Sequence, residues 1–379
     1  MKLLIAGGGT GGHLFPGIAL AEELLTRQPG KNDVLFVGTT HGIEARCVPE
    51  AGMKIQFIEV EGIKGRGMAN RLRALFKIPR ALMQSVKILR EFQPDAVVGV
   101  GGYASGPVVL AARLLGLPCA VQEQNARAGM TNRWLGRVVE TVFTAFPEVA
   151  GAFPASKVRL IGNPIRRAFL DNYLMEPEQH EKTGLLVFGG SQGAHVLNAT
   201  VIEALKRLEP ERLASLSIVH QTGAKEAAQV AEAYKAAGIQ ADVKEFIKDM
   251  SGAYARADII VCRAGATSLA EITVAKKASI LVPFAAATDN HQEINASSLV
   301  KAGAAVMVLE RELTPERLAQ EITSLCSREK RAVMEKAAGH LGRPEAAHDI
   351  IDVIVEMVEA RQRKMLPPGD QASEQERRA

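Results

Sequence analysis

The stretch LLIAGGGTGGHLFPGIALAEELL, residues 3–25, decides the fold. Leu3-Leu4-Ile5-Ala6 is a continuous apolar run, as expected of a parallel-sheet strand buried on both faces. A glycine-rich turn, Gly7 to Gly12, follows, and Pro16 is expected to open an amphipathic helix. The same grammar returns near mid-chain as Leu185-Leu186-Val187-Phe188, then Gly189-Gly190-Ser191-Gln192-Gly193, then HVLNATVIEALKRL. DVLFVG, DAVVGV and PCAVQ in the first half, and SIVHQ, DIIVC and SILVPF in the second, alternate with helical patterns. Such alternation gives parallel sheets covered by helices on both faces. The expected fold class is α/β: two tandem Rossmann-like domains facing a cleft and joined near Gly162-Asn163-Pro164.

Composition agrees. A chain of 379 residues, at about 150 per domain, holds two or three domains. With 47% hydrophobic and 23% charged residues it has ample material for a core. Aromatics at 4% argue against a nucleic-acid surface built on stacked rings, and a net charge of +4 is too mild to be a nucleic-acid signature by itself. Cys47, Cys119, Cys262 and Cys326 stand far apart, so neither a disulfide framework nor a zinc site is expected. The N-terminal apolar run is too short for a signal peptide. The longest uncharged stretch, residues 96–112, is broken by glycines and a proline. A cytoplasmic, reducing location is expected, and the polar tail from about Arg361 is expected to be disordered.

Gly7-x-Gly9-x-x-Gly12 formally matches the dinucleotide fingerprint, which requires an acid at the end of the second strand. That strand ends Phe36-Val37-Gly38-Thr39-Thr40, and no acid appears until Glu44, so a dehydrogenase is disfavoured. A tight strand-to-helix turn would explain one such loop. Recurrence points further: Gly101, Gly102, Tyr103, Ser105 and Gly106 form another loop after DAVVGV, and Gly189 to Gly193 a third. Glycines let backbone approach an anion, and helix N-termini favour phosphate. Glycine turns in both halves suggest two phosphate groups brought to one cleft, as group transfer between phosphorylated compounds requires. After DIIVC comes Arg263 to Glu271, where Ser268-x-x-Glu271 reads either as a capping box or as a carboxylate for ribose hydroxyls. His291-Gln292 and Asn295 follow at a helix start, where amides would read sugar hydroxyls.

From Lys64 to Arg90 there are basic residues and no acid, interleaved with Leu72, Leu75, Phe76, Ile78, Leu82 and Met83. A solvated helix face over the core would look similar. The mixture also suits peripheral docking on an anionic membrane surface, with Arg71, Arg73, Leu75, Phe76, Lys77 and Arg80 as the docking residues.

The motifs GGGTGGHLFPG, GGYASGP, QEQNARAGMTNRWLG, GNPIR, GGSQGA, EFIKDM, RAGATSLAE and HQEINA occur in the order of the MurG family of N-acetylglucosaminyltransferases, which this chain resembles from about Met1 to Ile354. The resemblance implies the GT-B glycosyltransferase fold. The expected domains are an acceptor and membrane-docking domain over 1–164, a donor domain over 165–340, a helix over 341–360 returning to the first domain, and a tail over 361–379. It implies inverting transfer of GlcNAc from UDP-GlcNAc to the C4 hydroxyl of MurNAc-pentapeptide on undecaprenyl diphosphate. The place implied is the cytoplasmic face of the inner membrane, with other cell-wall and division proteins as candidate partners. It further implies that Ser191 meets the diphosphate, the Ile247 backbone the uracil, and Glu271 the ribose. Ala266, Thr267, Ser268, Leu269 and Ala270 would line the nucleotide. Gln292 and Asn125 would read GlcNAc hydroxyls, and Arg166 would touch the donor. Thr10, Gly11 and Gly12 would line the cleft near the acceptor diphosphate.

His13 is the candidate base, since imidazole titrates near neutral pH. No Asp-x-Asp pair is present and no cofactor is expected, so leaving-group charge falls to a helix N-terminus and Arg166. Two positions depart from the family pattern: Gln122 stands where histidine is usual, and Lys277-Ala278-Ser279 replaces a Gly-x-Pro turn. The rival readings are a UDP-GlcNAc 2-epimerase-like enzyme and a non-catalytic, membrane-docked scaffold for cell-wall enzymes.

Overall fold

The N-terminal apolar run forms β1 (Lys2–Gly7), in which Leu3, Leu4, Ile5 and Ala6 are fully buried. The computed structural model describes residues 1–60, 68–173, 181–190 and 192–365, with backbone only for 68–77, 172–173, 288 and 365. It divides into two units, one of Met1–Gln124, Ala128–Pro164 and Glu345 onward, the other of Asn125–Arg127 and Ile165–Pro344.

In the first unit β1 is joined by β2 (Asp33–Gly38), β3 (Lys54–Phe57), β4 (Ala96–Gly101), β5 (Cys119–Glu123), β6 (Thr141–Thr144) and β7 (Val158–Leu160). They form one parallel sheet in the order β3-β2-β1-β4-β5-β6-β7. Its helices are α1 (Gly11–Arg27), α2 (Glu44–Glu50), α3 (Met68–Phe92), α4 (Ser105–Leu114) and α5 (Met130–Leu135). Pro16 does not open α1. The helix begins at Gly11, where the Thr10 carbonyl accepts from the His13 and Leu14 N–H groups, and Pro16 sits inside it.

The second unit repeats the plan with β8 (Thr183–Phe188), β9 (Leu216–Gln221), β10 (Asp242–Lys244), β11 (Ile259–Cys262), β12 (Ala278–Leu281) and β13 (Val306–Met307). These are again all parallel, in the order β10-β9-β8-β11-β12-β13. Its helices are α6 (Arg167–Tyr173), α7 (His195–Leu205), α8 (Pro210–Ala214), α9 (Ala227–Ala236), α10 (Met250–Arg256), α11 (Ala266–Val274), α12 (His291–Lys301), α13 (Pro315–Leu325) and α14 (Arg328–Leu341). Each sheet reverses its winding once, between β1 and β4 and between β8 and β11. Open α/β sheets bind ligands outside the carboxyl ends of strands at such a reversal. The loops after β1, β4, β8 and β11 are all there.

The last helix, α15 (Ala346–Met365), belongs to the first unit. Its Ile350, Ile351 and Ile354 are fully buried in one cluster with Leu14, Leu20 and Leu24 of α1. Each such side chain contributes about 1.5–3 kcal/mol. Arg27 adds hydrogen bonds to Asp352 and to the His348 carbonyl. The helix continues to Met365, into the stretch expected to be tail, and residues 366–379 lie outside the described residues.

Candidate active site

Glycine is required in the first unit for two different reasons. A Cβ on Gly7 would strike the Gly101 carbonyl, one on Gly102 the Gly8 carbonyl, and one on Gly101 the His13 ring. These three positions let the loops after β1 and β4 press together, with the Gly8 N–H bonding the Gly101 carbonyl at 3.2 Å. By contrast Gly9, at φ +88°, has no neighbour within 4 Å of a Cβ, and Gly12 meets only the Thr10 hydroxyl at 3.9 Å. Glycines facing open space are the ones left for a ligand to approach.

Glu44 is the acid missing from the end of β2, and it has another use. It is 1% exposed, and its carboxylate accepts from the Gly9 N–H at 2.7 Å and from the Thr39 N–H and hydroxyl at 2.9 Å each. Gly8, Gly38 and Gly42 all leave room for it. With the Gly8 and Gly9 amides committed, the anion-binding capacity at this loop passes to Thr10, Gly11 and Gly12 at the start of α1. Ser105, expected to face a ligand, is fully buried: its hydroxyl receives the Gly101 N–H at 3.0 Å and donates to the Ala6 carbonyl at 2.6 Å. The helix starts at Ser105, so Gly106 lies inside α4, while Tyr103 is exposed.

His13 projects from the first turn of α1, with Nδ1 3.2 Å from Gln124 Oε1. The Gln124 amide is oriented by its far end, where Nε2 donates to the Val100 carbonyl at 2.8 Å. A carbonyl only accepts, so the amide oxygen faces the imidazole, Nδ1 carries the proton, and Nε2 is left as the proton acceptor. Gln122 is fully buried on β5 and donates to the Gly162 carbonyl at 3.0 Å, a structural role.

In the second unit the loop after β8 behaves similarly. Gly189 and Gly193 are pinned against Ala194 and the Thr222 carbonyl, whereas Gly190, at φ +99°, faces open space. Ser191 lies outside the described residues. The next helix, α7, has Ala194 as its N-cap and, among the described residues, no side-chain cap bond. Gln221 is 1% exposed; its Nε2 donates to the Gly190 carbonyl at 3.0 Å and its Oε1 accepts from the Ile247 N–H at 2.8 Å.

The capping-box reading of Ser268-x-x-Glu271 fails. Helix α11 begins at Ala266 with Gly265 as its N-cap and no side-chain cap bond, so Ser268 is already helical and Glu271 lies in the second turn. Leu269 is buried, while Ser268 and Ala270 are half-buried. The Thr267 hydroxyl is buried without a partner at the same helix start. Glu271 is 7% exposed, and burial pushes its carboxyl up to about 7, against the opposing pull of the Arg166 guanidinium and the Tyr254 hydroxyl. That hydroxyl makes no hydrogen bond of normal geometry. The Gln292 oxygen accepts from the Phe284 N–H at 2.9 Å, so its NH₂ is the end offered outward. Asn125 is held beside it by Asn295, which donates to its side chain at 3.1 Å and accepts from the Ala126 N–H at 2.8 Å. Lys276, just before the departure at Lys277-Ala278-Ser279, takes φ +50°, a region that favours glycine.

Thus Glu271, Arg166 and Thr267 share one neighbourhood, and Gln221 ties Ile247 to the Gly190 turn. Among the described residues no cluster of three or more His, Cys, Asp or Glu is placed to hold a metal, and no helix is long and apolar enough to cross a membrane. Of the expected docking residues, the side chains of Arg71, Arg73, Leu75, Phe76 and Lys77 lie outside the described residues, and Arg80 pairs with Glu59 at 3.0 Å. A second apolar surface was not anticipated. Leu110, Leu114 and Leu115 at α4, and Met130, Trp134 and Val138 at α5, are exposed alongside Arg113, Arg133 and Arg137, with Arg137 over the Trp134 ring at 5.4 Å. The run VVLAARLLGL was the available signal; its i, i+4 surplus of leucine exceeds what one buried face needs.

Residues 3–144 match the N-terminal domain of glycosyltransferase family 28 and residues 184–352 its C-terminal domain. A protein of Anaeromyxobacter sp. (strain Fw109-5), named UDP-N-acetylglucosamine--N-acetylmuramyl-(pentapeptide) pyrophosphoryl-undecaprenol N-acetylglucosamine transferase, is 60% identical over 95% of this chain and 94% of its own length. One from Myxococcus xanthus (strain DK1622), with the same name, is 57% identical over 94% and 93%. The crystal structure of Acinetobacter baumannii MurG superposes with a TM-score of 0.77 at 34% identity, covering 94% of this chain and 99% of that one. A putative UDP-N-acetylglucosamine 2-epimerase from Listeria monocytogenes reaches 0.66 at 15% identity over 95% and 97%, a likeness of fold alone.

Proposed function

The chain belongs to glycosyltransferase family 28, and to the MurG transferases within it, and from that we propose the following reading. It is an N-acetylglucosaminyltransferase: GlcNAc passes from UDP-GlcNAc to N-acetylmuramyl-pentapeptide pyrophosphoryl-undecaprenol in peptidoglycan synthesis. The observation that carries this is 60% identity to a transferase of that name across nearly the whole of both chains. Epimerases share only the fold.

In the finer reading the acceptor C4 hydroxyl attacks the anomeric carbon with inversion. His13 Nε2 takes the hydroxyl proton, in the tautomer set by Gln124. The acceptor diphosphate lies at Thr10, Gly11 and Gly12. In the second unit the departing diphosphate sits at the Gly190 turn and the uncapped start of α7, with charge support from Arg166. Glu271 accepts from the ribose hydroxyls, Ile247 reads uracil through its backbone, and Gln292 and Asn125 read the sugar. The exposed leucines of α4 with Trp134 and the neighbouring arginines, together with the basic stretch 64–90, dock on an anionic membrane surface on its cytoplasmic side.

The test is transfer of labelled GlcNAc from UDP-GlcNAc to a lipid-linked MurNAc-pentapeptide. Product with a new β1→4 linkage is expected. Interconversion of UDP-GlcNAc with its 2-epimer, and no transfer, would overturn the reading.

A further inference from the structure

The segment from Val282 to Asn290 joins β12 to α12 and delivers Gln292 to the first turn of that helix. Its far end is bent sharply: Asp289 and Asn290 both take left-handed backbone, at φ +54° and +57°, a region that favours glycine. Two arginines fasten the segment. Near its end Arg127 donates to the Asp289 carbonyl at 3.0 Å. At its start Arg263, the residue after β11, donates from Nη1 to the Val282 carbonyl at 3.2 Å, the Pro283 carbonyl at 3.3 Å and the Glu310 carboxylate. The guanidinium carbon also stands 5.3 Å from the centre of the Phe284 ring. The Arg263 and Glu310 side chains are only 11% and 20% exposed, so this is not a loose surface pair. One planar cation thus ties together the segments leaving β11, β12 and β13. Phe284 is the next link, since its N–H donates to Gln292 Oε1 at 2.9 Å and so decides which end of that amide is left over, Nε2.

We propose that Arg263 governs recognition of the transferred sugar by holding the Val282–Phe284 backbone where it orients the Gln292 amide. This rests on the reading that Gln292 meets hydroxyls of the donor sugar. Arg263 touches neither sugar nor nucleotide in this scheme; it is a positioning residue. The task suits arginine and not lysine. A planar fork can lie over the Phe284 ring while bonding two carbonyls and a carboxylate, whereas an ammonium is a point charge on a flexible stem. Glu310 keeps the fork turned toward the carbonyls. Loosening this clamp should move the Phe284 N–H and with it the amide, while leaving the turn after β8 untouched.

The experiment is a double-mutant cycle on the full chain: wild type, Arg263→Lys, Gln292→Ala and the two combined. For each, kcat/KM for UDP-GlcNAc, the inhibition constant of UDP and the thermal melt are measured. Arg263→Lys is expected to lower kcat/KM for UDP-GlcNAc about tenfold, the order of one hydrogen bond lost. The UDP inhibition constant should stay within twofold, because UDP carries no sugar. The combined variant should lose no more than Gln292→Ala alone, since both changes break one line of contacts. Losses that multiply overturn the proposal, as Arg263 would then act without Gln292. So does a folded Arg263→Lys with unchanged kcat/KM, or one that weakens UDP as much as UDP-GlcNAc. Should Arg263→Lys fail to fold, Glu310→Ala takes its place in the cycle. A loss confined to UDP-GlcNAc and absent on top of Gln292→Ala supports the proposal; an unchanged kcat/KM or multiplying losses overturn it. Full activity in Gln292→Ala itself would instead sink the reading of Gln292 at the sugar, a separate failure.

Discussion

The turns after β1 and β8 occupy equivalent places in equivalent sheets, yet each treats its nearest carboxylate differently. In the first unit Glu44 folds under the loop and takes the Gly9 N–H, so the acid is spent on the loop and the imidazole of His13, held by Gln124, is the side chain at the first turn of α1. In the second unit the loop is braced by the neutral Gln221, and the acid, Glu271, is kept in a buried pocket with its carboxyl raised to about 7. One frame therefore carries an imidazole at the first turn and a buried carboxyl near the second, which under the proposed function would serve proton transfer and hydroxyl recognition. The lesson is that a glycine turn at a sheet's reversal point fixes only where a ligand goes. Which chemistry it meets depends on where the nearby acid bonds.

The largest expected effect tests whether proton transfer belongs to the first unit. His13→Ala should lower kcat by about 10²–10⁴, the usual range for a lost general base, while UDP affinity measured by calorimetry stays within twofold. Weakened UDP binding with kcat unchanged would erase the distinction between the two units. A smaller loss, without a change in UDP affinity, is expected for Gln124→Leu, which leaves the tautomer unset.

Glu271 probes the other side. Its folded pKa of about 7 lies above the ordinary 4.5, so the folded chain keeps a proton that the unfolded chain has lost. Stability therefore falls as pH rises from about 4.5 to about 7, and above that the cost of the buried charge is fully present. Glu271→Gln should remove this dependence: its melting temperature relative to wild type should climb over that window and then level off. Glu271→Ala should bind UDP-GlcNAc about 1.5–3 kcal/mol more weakly, the value of a hydrogen bond to a charged acceptor. A parallel pH profile in variant and wild type would mean that Glu271 is not the buried acid described.

The doubly wound sheets were legible because LLIA, LLVF and DIIVC are too apolar to be anything but strands buried on both faces. The turns were legible because glycine clusters cannot sit inside helices at that density. Helix starts were not: Pro16 and Ser268 carry start signals, but α1 and α11 begin earlier, where backbone geometry at Thr10 and Gly265 already turns the chain. Residues singled out by type, such as His13 and Glu271, stand at the start of α1 and in the second turn of α11, beside the glycine turns. Gln124 and Gln221 were missed, and Asn295 and Glu44 were named without their orienting role, since all four acquire that role only through partners distant in sequence. The absence of an acid at Thr39-Thr40 was a clue to Glu44 that the fingerprint argument discarded too early.

The smallest effect separates glycines kept for packing from glycines kept for a ligand. Gly12 is in the first turn of α1, has an ordinary negative φ, and offers a Cβ free space. Alanine there strains nothing and restricts the unfolded chain, so Gly12→Ala should stabilise the fold by up to ~1 kcal/mol. If the space is where the acceptor diphosphate approaches the helix N-terminus, the same methyl group should lower kcat/KM for the acceptor about tenfold, an order-of-magnitude expectation for one lost close approach to N–H donors. UDP affinity should not move, because the donor loops belong to the other unit. Gly102→Ala is the contrast: its Cβ meets the Gly8 carbonyl and its φ is +80°, so it should lose stability along with activity. A Gly12→Ala protein that is more stable and fully active would show that the open space at α1 is unused. The anion capacity displaced by Glu44 would then have to be sought at the N-terminus of α4.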